Sequence, residues 1–118
     1  MLTMIRAQIL VLLLIPSASI AQESFVLPKS EMLELCERIA SLGHYIAGVG
    51  EAGGDVEQKT VEMSMQILGD SDAGLLPKPV AAKMVASLNL GALGLGTPDD
   101  IGYFVFNNCM NTGWVRAE

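Results

Sequence analysis

The chain is short of the residue types that most chemistry requires. It has one histidine, His44, and two cysteines, Cys36 and Cys109, in 118 residues. That set cannot supply a zinc site with the usual nitrogen and sulfur ligands, so no metal is expected. The cysteines are far apart rather than spaced Cys-x-x-Cys, which argues against a redox-active pair. Basic residues number seven against thirteen acidic ones. The shortage of positive charge disfavours nucleic acid and anionic membrane surfaces as partners. No apolar run approaches the roughly 20 residues that a membrane-spanning helix needs. No Asn-x-Ser/Thr sequon occurs either.

The apolar residues that are present begin with a short, bounded run. Arg6 precedes Ile9 to Ile15, Pro16 breaks the run, and Ser19-Ile20-Ala21 follows with small residues at −3 and −1. This is the pattern of a secretory signal peptide over residues 1–21, with cleavage expected after Ala21. Removing 21 of the 118 residues leaves a single domain of 97, residues 22–118, and takes the formal charge from −6 to −7 because Arg6 is lost. No cysteine stands at the cleavage site, so lipid attachment there is not indicated. The expected location is the periplasm or outside the cell. In such an oxidising compartment Cys36 and Cys109 are read as one disulfide.

Helical periodicity is the only strong pattern in the mature part. Met32, Leu35, Ile39, Leu42, Ile46 and Val49 recur at spacings of three and four beside a second stripe of small residues, Cys36, Ala40, Gly43, Ala47 and Gly50. Ser30 is the expected N-cap, and the glycines from Gly48 to Gly54 are the expected end. Asp55 with Gln58 resembles a capping box and opens a second helix to about Leu68. Val61, Met65 and Leu68 form its expected inner side, and residues 70–74 a loop. A third helix follows Pro77, burying Val80, Ala81, Met84, Val85 and Leu88. The glycines of residues 89–96 read as an apolar connector, since each costs a helix about 1 kcal/mol. Thr97-Pro98-Asp99-Asp100 offers a cap hydroxyl, a first-turn proline and two carboxylates. It opens a fourth helix to about Asn111, stopped by Gly113, with Gly102, Val105, Phe106 and Cys109 inward. Four of the six aromatic residues lie between Tyr103 and Trp114, which reads as an aromatic anchor for the core. The expected fold is all-α, a small four-helix bundle with one disulfide joining its first and last helices.

Candidate chemistry is thin. Glu37 and Glu51 flank His44 along one helical side, a pattern that a solvated surface histidine shows equally. Asp70-x-Asp72-x-Gly74 lacks the third ligand and distal glutamate of a calcium loop. Gly91, Gly94 and Gly96 follow no strand and do not make a nucleotide fingerprint. No cofactor is expected, and an enzyme is disfavoured. Two features exceed what a core requires: the apolar Leu90, Leu93 and Leu95, and the amide strip of Asn107, Asn108 and Asn111. They are the candidate partner-binding residues, with a periplasmic protein as the expected partner.

Cys36 early in the first helix, Ala52-Gly53 after it, Thr97-Pro98-Asp99-Asp100 and Cys109 in the last helix together resemble small exported two-cysteine helical proteins of bacteria. Leu35-Cys36 followed by Tyr45-Ile46-Ala47-Gly48-Val49 is similar to immunity proteins that guard against type VI secretion effectors. Those carry an additional cysteine near the position of His44, which this chain lacks. The resemblance implies a toxin-binding role. Two-cysteine acid-stress chaperones of the periplasm share the size and compartment, which makes a holdase the alternative.

Overall fold

The computed structural model describes residues 26–111 and 115–116. The expected signal peptide of residues 1–21, the helix stop at Gly113 and the aromatic Trp114 lie outside the described residues. Four helices carry the fold: α1 (Lys29–Glu51), α2 (Val56–Asp72), α3 (Lys78–Ala92) and α4 (Pro98–Asn111). Two short strands, β1 (Val26–Leu27) and β2 (Val115–Arg116), pair in parallel with Val26 opposite Val115 and Leu27 opposite Arg116. They belong to a compact unit separate from the helical one of residues 28–113. Two residues are too few to show alternation, so no sequence pattern announced this pair.

Within the helical unit α1 is the central element, packing most extensively against α4 and α3, while α2 packs chiefly on α3. The buried side of α1 is Met32, Cys36, Ile39, Ala40, Gly43, Ile46 and Ala47. Cys36, Ala40, Gly43 and Ala47 of the small-residue stripe are thus buried more deeply than Leu35, Leu42 and Val49, which are half-exposed, while Gly50 at its end is exposed. Small side chains win this position because they let α3 and α4 approach α1 closely. The helix begins one residue before the expected cap Ser30: Pro28 precedes it, and the Pro28 carbonyl accepts from the Met32 amide at 2.9 Å. Gly48 and Gly50 remain helical, and α1 ends at Glu51, with Gly53 at φ 81°. A β-carbon on Gly50 would lie 3.1 Å from Val56 Cγ2, so this glycine admits the start of α2.

Helix α2 has the expected Asp55 cap, whose carboxylate accepts from the Gln58 amide at 3.0 Å. Its face is a correction. Val61, Met65 and Leu68 are 50%, 69% and 48% exposed. The inner side is Thr60 and Ser71, with Val56, Met63 and Ile67 half-buried beside them. Two adjacent stripes share the helical period, and the polar pair disguises the inner one. The helix also runs past Leu68 to Asp72, so residues 70–72 are helical and the turn is made at Gly74, φ 81°.

Helix α3 buries Val80, Ala81 and Leu88 as expected, together with Ser87 and Gly91. It continues to Ala92, so the connector expected at residues 89–96 is reduced to Leu93–Gly96. The reason lies in α1. A β-carbon on Gly91 would collide with the Gly43 carbonyl oxygen, and one on Gly43 would lie 2.8 Å from Ser87 Oγ. Close backbone contact offsets the helix cost of glycine. Ser87 Oγ donates to the Ile39 carbonyl at 2.6 Å and accepts from the Gly43 amide at 2.9 Å. Those two groups are helical partners four residues apart, so the hydroxyl of α3 is inserted at a rung of α1.

Helix α4 starts as its sequence signal requires. Thr97 Oγ1 accepts from the Asp100 amide at 3.1 Å, and the Thr97 amide donates to Asp100 Oδ2 at 3.3 Å. This is a reciprocal capping box with aspartate as the returning acid. Ile101, Val105 and Cys109 are buried, whereas Tyr103 and Phe104 are 74% and 57% exposed. The aromatic anchor is therefore not observed at these two residues. The Cys36–Cys109 disulfide holds its Cα atoms 5.6 Å apart, and Ile101, Val105 and Cys109, four residues apart, form the buried face, which leaves Tyr103 and Phe104 outside it by helical phase.

Candidate functional site

A groove of about 240 Å³ lies between α3 and α4, lined by Ile39, Lys83, Leu90, Phe104, Val105 and Asn108, with the buried Ser87 and Cys109 among its walls. It lies where α3 and α4 both pack on α1 far more extensively than on each other. Ring and aliphatic surface dominate the lining, with Lys83, Ser87 and Asn108 as its polar members. Leu90 and Asn108 are the two sequence candidates that the fold brings together here. Leu93 and Leu95 lie on the α3–α4 turn, 64% and 75% exposed, where Gly94 has φ 70°. Asn107 Nδ2 donates to the Tyr103 carbonyl at 3.0 Å, so that amide is engaged by its own helix. Asn111 is exposed in the last turn of α4. Phe104 is the groove residue that sequence reasoning placed in the core instead.

The single histidine has a partner the sequence did not indicate. His44 Nε2 lies 3.1 Å from Asp99 Oδ1, in an arrangement 50% and 95% exposed at the two side chains. Glu37 and Glu51 are not that partner; Asp99 is brought across because α1 and α4 run antiparallel, with Cys36 bonded to Cys109 at the far end. Ser41 lies one turn before His44, and its hydroxyl donates to the Arg38 carbonyl at 2.7 Å. Asp72 of the calcium-like stretch pairs with Lys78 at 3.8 Å, and the Asp70 carbonyl accepts from the Leu75 amide at 2.9 Å. These residues form a helix end. Among the described residues no three His, Cys, Asp or Glu side chains gather as a metal-binding group.

A second, shallower groove runs between α1 and α4, lined by Glu37, Ala40, Ser41, His44, Gly102, Tyr103 and Phe106. The two grooves flank α4 on opposite sides, with Phe104 on one and Tyr103 on the other. Among the described residues no helix is long and apolar enough to cross a membrane. The buried disulfide fits an oxidising compartment. No family model, curated protein or solved structure matches the chain.

Proposed function

We propose that the mature chain is a disulfide-stapled module of the periplasm that binds a protein partner through the α3–α4 groove and the adjoining turn. The observation that carries this reading is the outward placement of Phe104, Leu93 and Leu95 around the groove that holds Leu90 and Asn108. Exposed rings beside a concave apolar surface are usual anchors of an interface, neighbouring leucines add apolar burial, and nearby amides fix its orientation. Neutralising a secreted toxin is the most concrete form of such binding. The test is site-specific photocrosslinking in exported protein whose intact mass begins at Gln22. A probe at Phe104 or Leu93 should capture one discrete partner, and Leu95→Asp should abolish that product while leaving helicity and disulfide unchanged. Equal capture from a probe at Lys29, or capture untouched by Leu95→Asp in folded protein, would overturn the assignment. A second reading, an acid-stress holdase, is favoured by the exposed Val61, Met65 and Leu68 stripe on α2, which offers apolar surface without a defined pocket.

A further inference from the structure

The groove between α1 and α4 is built differently from the one just assigned, and its charges point to a different kind of occupant. Its walls are the Tyr103 and Phe106 rings, and buried Ala40 forms its floor. Gly102 keeps it open: a β-carbon there would lie 3.6 Å from the His44 ring and narrow the channel. The antiparallel course of α1 and α4 places Glu37 toward the disulfide end and the His44–Asp99 pair toward the other. Among the described residues no lysine or arginine lines this groove. The nearby cation of α1, Arg38, is turned to Glu34 at 3.7 Å. Tyr103 is 74% exposed, so its ring is open to solvent beside those carboxylates.

We infer that this groove is a docking surface for a cationic, apolar-centred peptide segment of a protein partner. Charge complementarity sets the class of occupant. A leucine or aromatic side chain of the segment fills the channel over Ala40 and Phe106, and flanking Lys or Arg side chains reach Glu37 and Asp99. A cation standing over the Tyr103 ring gains quadrupole attraction as well as carboxylate attraction. A second copy of the mature chain is the weaker fit, because its formal charge of −7 without Arg6 makes like-charged faces meet. The exposed α2 stripe carries no comparable argument, since nothing there says what covers it.

The probes are two fluorescein-labelled hexapeptides, Lys-Lys-Leu-Leu-Lys-Lys and Glu-Glu-Leu-Leu-Glu-Glu, read by anisotropy against the oxidised mature protein. The basic peptide should bind at least tenfold more tightly than the acidic one, and should weaken as salt rises, because exposed charges are screened. Net charge alone would also attract a basic peptide, so position is the decisive arm. Glu37→Lys and Tyr103→Ala should each weaken binding fivefold or more. Glu57→Lys on α2 makes the same change of charge away from the groove and should leave binding within twofold. Leu93→Asp should also leave it within twofold, which separates this surface from the α3–α4 groove. Each variant is confirmed folded by circular dichroism and by its intact disulfide. Equal binding of the two peptides overturns the inference, as does a Glu57→Lys loss matching that of Glu37→Lys, or no loss on Tyr103→Ala.

Discussion

Replacing Gly91 with alanine tests the central packing claim, because two known effects oppose each other at that position. Helix propensity favours alanine over glycine by about 1 kcal/mol. Against this, the new methyl would meet the Gly43 carbonyl oxygen, which is backbone and cannot rotate away. Forcing α1 and α3 apart costs about 1–3 kcal/mol in strain and lost packing. It also stretches the two hydrogen bonds of Ser87 to Ile39 and Gly43, each worth about 1 kcal/mol. The net expectation is a loss of about 1–3 kcal/mol, a fall in Tm of at least ~5 °C for a domain of this size. The matched control is Gly69→Ala in α2, where a β-carbon meets nothing within 4 Å. That variant should gain about 0.5–1 kcal/mol from propensity and chain entropy. Urea denaturation and thermal melts of both oxidised variants give the answer as a pair of opposite signs. A Gly91→Ala midpoint at or above that of the parent protein would refute the close approach of the two backbones.

Four other outcomes follow from the same description. Closing a loop across 73 positions contributes about 4 kcal/mol in the chain-entropy model, so Cys36→Ala with Cys109→Ala should lower urea stability by about 2–4 kcal/mol. Thiol titration of the parent protein in denaturant should find no free thiol, and reduction should be slow under native conditions because both cysteines are buried. Thr60 Oγ1 is buried with no hydrogen-bond partner among the described residues, so Thr60→Val should stabilise by about 1 kcal/mol, measured as a higher urea midpoint. Thirteen carboxylates against few bases make the protein cationic when acid protonates them, and self-repulsion then loosens the bundle. A holdase should expose dye-binding apolar surface and suppress client aggregation at about pH 2 to 3; compactness there, or opening without protection, rejects that role.

Much of the local structure was determined by the chain itself. The Asp55 and Thr97 caps, the α1 and α4 periods and the disulfide were legible because each depends on groups a few residues apart, or on two cysteines with no rival. The faces that helices turn inward were less so. On α2 two stripes fit the same period, and only the proximity of α3 decides that Thr60 and Ser71 go in while Met65 stays out. Gly91 looked like a helix breaker, since its cost is local and its compensation, the Gly43 backbone, is 48 positions away in the chain. The same holds for the candidate sites. Leu90, Leu93, Leu95 and Asn108 could be singled out as residues a core does not require. Phe104 and the Tyr103 wall could not, because an aromatic residue in an amphipathic helix is ordinarily core. Their outward turn follows from α4 packing its Ile101, Val105 and Cys109 face on α1, which only the folded chain decides. His44 likewise has its partner on another helix, and which carboxylate meets it is set by the antiparallel register of α1 and α4.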